Sequence, residues 1–290
     1  MHYFGRFDEA AFQVHPIYAG HSQGYRVVEL VGRATGSVHT GLTMNELAPG
    51  GVIDPHVHSF EEGFYILSGE AIVNIAGTSR RLVAGDYGAI KVDTPHAWRA
   101  ASAGPVRWLQ MAAPQPKPPG TERDTFFYTP AKGAPYVAPS SAPGLEPATD
   151  GQLLGHFDER QIPPPGQRQT AAAGLEGVFL KWLLDENAGT RHHRLLFIEY
   201  QPGVSIGLHD HTFEESYFIL SGEVEGTMDG RTYRARAGDV LWTGVGCVHA
   251  FGNVGREPVR WLETFAPQPP KENVFRFMAE WDRKAGEIER

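Results

Sequence analysis

Apolar and polar residues alternate with period two along most of this chain. In the first half the pattern runs through residues 25–31 (YRVVELV), 40–47 (TGLTMNEL), 63–77 (GFYILSGEAIVNIAG), 80–92 (RRLVAGDYGAIKV) and 105–112 (PVRWLQMA), with Gly, Asp and Asn marking the turns. Alternate residues of a strand face opposite sides, so such runs set one face against a core and the other toward water. Their length and spacing predict the antiparallel strands of a sandwich or barrel. A helical period occurs near the C-terminus, where Val274, Phe277, Met278 and Trp281 recur at i, i+3, i+4 and i+7. That spacing predicts a short amphipathic helix laid on a barrel.

The strand pattern is written twice. PHVHSFEEGFYILSGE, ending at Glu70, returns as LHDHTFEESYFILSGE, ending at Glu223, an offset of 153 residues. The same offset carries Gly85-Asp86 to Gly238-Asp239, His96 to His249, and the PVRWL of Pro105 to that of Pro258, without insertion or deletion. Each copy spans about 90 residues, well beyond the roughly 20–50 of a solenoid unit, and can enclose its own core. Twelve of the 22 prolines lie between Pro114 and Pro165. Proline removes an amide donor, so that stretch cannot supply a central strand and is expected to run extended over the surface. The expected organisation is a first barrel with an N-terminal arm over 1–116, a Pro-rich linker over 117–172, and a second barrel with the C-terminal helix over 173–290. Phe126, Phe127, Tyr128 and Tyr136 suggest that parts of the linker dock on a barrel or a second subunit.

Composition narrows the partners. The 290 residues carry a net charge of −8 with no run of five like charges, which argues against nucleic acid and anionic membrane surfaces and leaves small molecules. Cys247 is the single cysteine, so no intramolecular disulfide is expected. Arg6, Asp8 and Glu9 stand where a signal peptide would need an apolar core, and no segment approaches the ~20 apolar residues that span a bilayer. A cytoplasmic homodimer that binds small molecules, without nucleic acid or membrane, is the expectation.

The candidate chemistry lies in the repeat. The first copy reads Gly50-x5-His56-x-His58-x3-Glu62-x6-Gly69, then Gly85-Asp86 and His96; the second reads Gly203-x5-His209-x-His211-x3-Glu215-x6-Gly222, then Gly238-Asp239 and His249. On a strand, residues i and i+2 share a face, so His56 and His58, like His209 and His211, can aim at one interior point. Glu62 and Glu215 reach it from the next strand, and His96 and His249 from a later one. Three imidazoles and a carboxylate suit an ion that keeps open positions, Mn or Fe before Ni, Co, Cu or Zn, and a closed structural zinc site would use cysteines. Up to two ions per chain are expected. The spacing resembles the two motifs of the cupin superfamily over about 90 residues of each half. The resemblance implies two tandem jelly-roll barrels, an all-β bicupin.

Among two-barrel cupins, the full three-His, one-Glu set resembles that of metal-dependent dioxygenases such as the quercetin dioxygenases, and also that of oxalate decarboxylases. It implies a dioxygenase acting on a small enolic or phenolic compound, with Glu215 and Glu62 as ligands and catalytic bases. The length, the duplicated barrel and strings such as YQPGVSIGLHDH also look like the manganese-dependent (S)-ureidoglycine aminohydrolases, whose second-barrel ligands depart from the set found here. A non-catalytic small-molecule-binding bicupin is the third alternative.

Differences between the copies point to the second barrel as the principal site. Phe64 becomes Tyr217, Trp98 becomes Phe251, Ala100 becomes Asn253 and Ala89 becomes Trp242. Tyr217, Trp242, Phe251 and Asn253, with Phe64 and Trp98 in the first barrel, are the expected substrate contacts. His39 and His192 are read as exposed strand histidines, and His193 as part of a solvated edge. Glu46 and Glu199 either orient a ligand histidine or lie on the surface; Trp108 and Trp261 are expected in the core.

Overall fold

The computed structural model describes residues 1–118, 124–127, 153–167, 176–269 and 275–288. Two jelly-roll barrels account for almost all of them, and the paired strands run antiparallel, as the alternation predicts. In the second barrel one sheet has the order His2–Arg6, Asp239–Thr243, Glu214–Ser221, Val259–Ala266, Arg194–Tyr200, Val178–Leu184. The other has the order Arg231–Arg236, Glu223–Met228, His249–Gly252, Ser205–His211, Phe275–Phe277. In the first barrel the 18-residue strand Gly41–His58 passes from one sheet to the other and joins them. The chain turns from one face of each barrel to the other at Gly69 and Gly222, with φ of 78° and 77°, where an added Cβ would stand 2.5 Å from the carbonyl oxygens of Pro105 and Pro258. Only glycine fits such a close left-handed turn.

Alternation sorts the apolar residues into three layers. Along Val259–Ala266, Val259, Trp261 and Phe265 face the interior of the second barrel, whereas Leu262 faces a layer between the barrels. Leu109, Phe197 and Trp242 share that middle layer, each wholly or almost wholly buried, and each such side chain contributes about 1.5–3 kcal/mol. The barrels therefore form one body.

Each barrel also borrows an edge strand. The arm His2–Arg6, placed with the first barrel by the sequence reading, pairs with Asp239–Thr243 of the second. Leu154–His156, from the linker region, pairs with Asp86–Ile90 of the first. The two arms are themselves a repeat, GRFDE at 5–9 and GHFDE at 155–159. Arg6 bonds Asp239 at 2.7 Å and His156 bonds Asp86 at 2.8 Å, while Asp8 and Asp158 each cap a following helical turn.

Phe127 docks on the first barrel through the strand Thr125–Phe127, as the aromatic content suggested; Tyr128 and Tyr136 lie outside the described residues. The C-terminal helix spans Met278–Ile288, but Phe277 ends a strand and Trp281 is half exposed, so the helix projects most of its surface to solvent instead of lying on the barrel. Val274 is outside the described residues. No helix among the described residues is long and apolar enough to cross a membrane.

Candidate metal centres

A triad of histidines lies inside each barrel. His56 and His58 share one face of the strand Gly41–His58, and His96 opens the neighbouring strand, directly paired with His56. His209, His211 and His249 repeat the arrangement. Register shifts between Ile53 and His56, and between Ile206 and His209, mark a bulge that re-aims the strand just before its ligands. In each triad the nitrogens lie within 4.8 Å of one another. Glu62 Oε2 is 3.2 Å from His58 Nε2 and 3.5 Å from His96 Nε2; Glu215 Oε2 is 2.8 Å from His211 Nε2 and 3.3 Å from His249 Nε2. Adjacent ligands of an octahedral ion with bonds near 2.1 Å stand about 3 Å apart.

The other nitrogen of each ring sets its aim. Nδ1 of His56, His96, His209, His211 and His249 bonds the carbonyl oxygen of Asp54, Thr94, Gly207, Phe213 and Cys247, at 2.7–2.9 Å. His58 differs, its Nδ1 lying 3.0 Å from Thr125 Oγ1. With Nδ1–H donated, each Nε2 keeps its lone pair for the centre.

Burial holds His56 well below the ordinary histidine range, lowers His58, and brings His209 down to about 4. For His211 burial pulls the same way, but the charge and hydrogen bond of Glu215 outweigh it and raise the ring. Burial pushes Glu62 and Glu215 up, yet His58 with His96, and His211 with His249, hold both carboxyls well below the usual range. Ionised oxygens thus face ring nitrogens across 2.8–3.5 Å, and Nε2 of His58, His96 and His211 is buried without a hydrogen-bond partner. A divalent cation at the common focus relieves that opposition, and the donor set suits Mn, Fe, Co or Ni. The residues fit one divalent metal ion in each barrel.

Aromatic walls surround both triads. Phe60 stacks on His58 at 4.3 Å and Phe213 on His211 at 4.0 Å. Phe127 lies 5.1 Å from His56, and Phe277 5.3 Å from His209. In the second barrel the Tyr217 hydroxyl donates to Glu215 Oε2 and stands 3.3 Å from His249 Nε2, with Phe251 packed on its ring at 4.7 Å. In the first, Phe64 meets Trp98 edge-on at 5.2 Å, and Trp98 stacks on Trp108 at 5.0 Å, deep in the core. No lysine or arginine among the described residues is buried.

Several expected roles are corrected by the geometry. Trp242 belongs to the layer between the barrels, because its strand turns Leu241 and Thr243 the other way. Asn253 spends its amide on the carbonyls of Tyr200 and Glu257 and accepts the Gly255 N–H, so its polar atoms are committed to shaping a turn. His193 is wholly buried, with Nδ1 2.8 Å from Glu61 Oε1 of the other barrel. Glu46 binds Arg26 and Arg107, and Glu199 binds Arg260, so neither orients a ligand. Sequence reasoning does not reach Thr125, Phe275 or Phe277, which arrive from segments far along the chain. It also passes over Glu61 and Glu214, although both stand beside a ligand and match at the repeat offset.

The sequence profile of the Cupin domain matches residues 43–111 and 196–265. Polyketide synthase CurC of Streptomyces cyaneus is 32% identical over 75 residues, 26% of this chain and 49% of that protein, so the match spans about half of CurC. An oxalate-binding protein of Thermotoga maritima is 33% identical over 100 residues, 34% of this chain and 83% of that protein. The oxalate decarboxylase of Lactobacillus farciminis, solved as a formate complex, shares the fold at a TM-score of 0.64 and 18% identity, over 97% of this chain and 90% of that one. The oxalate decarboxylase of Bacillus subtilis does so at 0.63 and 19%, over 99% and 82%.

Proposed function

We propose, from the premise that this chain belongs to the cupin family, that it is a metal-dependent enzyme whose second barrel oxidises a small enolic or phenolic compound with O2. The observation that carries the reading is the wall of each centre: a complete His-His-Glu-His set among aromatic rings, with no buried lysine or arginine among the described residues. Several structural neighbours are oxalate decarboxylases, and that of Bacillus subtilis has Mn(II) centres. Oxalate is a small dianion, and beside a divalent ion and the Glu215 carboxylate, with no buried cationic side chain among the described residues, it would leave one negative charge uncompensated. A planar compound with one ionising oxygen would leave none.

His209, His211, Glu215 and His249 would hold the ion in the second barrel, and His56, His58, Glu62 and His96 the ion in the first. When bound, Mn or Fe supplies a Lewis acid with redox access to O2. The other oxygen of Glu215, Oε1, accepts the proton that an enol or phenol must lose. The Tyr217 hydroxyl, donated to Oε2, steadies the carboxylate's charge and holds it in place. Phe251 and the ring of Tyr217 offer flat faces to a planar substrate, while Phe275 and Phe277 exclude water on the His209 side.

The test is O2 uptake by Mn-loaded and Fe-loaded protein with catechol, a flavonol, a β-diketone and oxalate. Consumption with one of the first three is expected, lost in Glu215→Ala and reduced less in Glu62→Ala. No uptake with any of them refutes the oxygenase reading, and formate with CO2 from oxalate would replace it by decarboxylation.

A further inference from the structure

A third group of metal-binding side chains stands besides the two triads. His2, Asp229 and Cys247 each offer one donor atom, and the three donors lie within 4.8 Å of one another. They converge from distant parts of the chain. His2 opens the arm strand His2–Arg6, Asp229 forms the turn between Glu223–Met228 and Arg231–Arg236, and Cys247 precedes the strand His249–Gly252. His2 Nε2 lies 2.9 Å from the Tyr233 hydroxyl, which turns Nδ1 to within 3.1 Å of Asp229 Oδ2. Asp229 Oδ1 accepts the Val248 N–H at 3.2 Å, which leaves Oδ2 for the cluster. Cys247 is wholly buried, His2 is mostly so and Asp229 is exposed, so an ion can enter past the carboxylate.

The repeat shows that the fold does not need these side chains. At the 153-residue offset Asp229 answers to Ala76 and Cys247 to Thr94, and at the 150-residue offset of the arms His2 answers to Gln152. Ala76 makes its turn with φ of 49°, against 48° for Asp229. The carbonyl of Thr94 aims His96 at 2.9 Å, as that of Cys247 aims His249. Three ligand-type side chains thus enter together in the second copy, at places where the backbone does the structural work. We propose that His2 Nδ1, Asp229 Oδ2 and Cys247 Sγ form a third metal site, for a zinc ion that fastens the arm His2–Arg6 to the second barrel. Mixed nitrogen, oxygen and sulfur donors suit Zn(II), and a thiolate disfavours Mg, Ca and Mn. Bonds of about 2.0–2.3 Å set tetrahedral donors about 3.5 Å apart, so the widest pair has at most about 1.3 Å to close. The fourth position is left to water on the Asp229 side. As the Zn–S bond forms, the thiol proton leaves to solvent. The Met1 amino group, 2.9 Å from Asp229 Oδ2, is the cation that this ion displaces.

The test titrates Co(II) into the full, metal-free chain and follows its near-ultraviolet absorbance. Cys247 is the single cysteine and neither triad contains sulfur, so a thiolate-to-Co(II) charge-transfer band reports this site alone, whatever the triads bind. The wild type should show the band, excess Zn(II) should bleach it, and Cys247→Ser should lack it. His2→Gln and Asp229→Ala, which restore the residue types of the first copy, should each weaken Co(II) affinity about tenfold or more. Ala76 shows that the turn accepts alanine, so Asp229→Ala reports even where Cys247→Ser does not fold. A wild type without the band, in which the Met1 amino group keeps the carboxylate, overturns the site. So does a band that survives excess Zn(II), or one that either His2→Gln or Asp229→Ala leaves unchanged.

Discussion

Glu61→Ala should cut one of two ties that lock the barrels together. This carboxylate accepts the backbone N–H of Arg191 at 2.9 Å and of His192 at 3.1 Å, and lies 2.8 Å from His193 Nδ1. Arg191 and His192 are exposed, so their freed amides can turn to water; the His193 ring is 0% exposed and cannot. Leaving a buried polar group without its partner costs about 1–3 kcal/mol. At roughly 2–4 °C per kcal/mol, the melting temperature should fall by about 5 °C. Gly63 approaches the same ring from the other side, where an added Cβ would stand 2.2 Å from His193 Nε2. Thr40 and Ser216 hold the equivalent places at the second tie, where Glu214 binds Ser37, Val38 and His39. Gly63→Ser should therefore be severe alone and largely rescued by His193→Thr, with a coupling above ~2 kcal/mol. Urea unfolding followed by tryptophan fluorescence, with calorimetry of the same variants, measures both. A loss below about 1 kcal/mol in Glu61→Ala, or additivity of Gly63→Ser and His193→Thr within about 0.5 kcal/mol, would refute the reasoning.

Other consequences follow from the same geometry. Asn253→Ala removes three turn hydrogen bonds and should cost about 2–3 kcal/mol while metal content, read by elemental analysis, stays unchanged; a lost second metal would reinstate Asn253 at the site. Trp242→Ala should cost about 3–5 kcal/mol by opening a cavity between the barrels, with O2 uptake by the loaded protein preserved. Burial pushes Glu46 up, but Arg26 and Arg107 outweigh it and hold it below its ordinary value. The stabilisation it confers is full above the unfolded value of about 4.3 and is lost as pH falls through the lower folded value, so the acid limb of stability should be shallower in Glu46→Gln. His209 sits at about 4 in the fold, against about 6.5 unfolded. Metal-free protein should lose stability as pH falls through that window, because the unfolded chain takes up the proton first. Identical pH curves for wild type and His209→Leu would contradict this.

The convergence of the candidate ligands was legible because period-two geometry is local. His56 and His58 share a face by the pleat alone, the neighbouring strand supplies Glu62, and an exact repeat of 153 residues confirms each placement. The same arithmetic yields two barrels with polar-apolar alternation. It stops where a side chain's surroundings come from distant chain. Trp242 and Tyr217 lie on neighbouring strands of one sheet, yet one packs between barrels and the other against Glu215, because a strand has two faces and both are buried here. His193 reads as a solvated edge until Glu61 of the opposite barrel covers it. The arms at 5–9 and 155–159 carry a visible repeat, at an offset of 150 instead of 153, but no local rule says that each pairs with the sheet it does. Covalent spacing along a strand determines which residues converge within one hairpin. Which barrel face is interior, what buries Glu263 beside Tyr217, and which loop caps which carboxylate depend on contacts between segments more than 40 residues apart, and only the folded chain decides them.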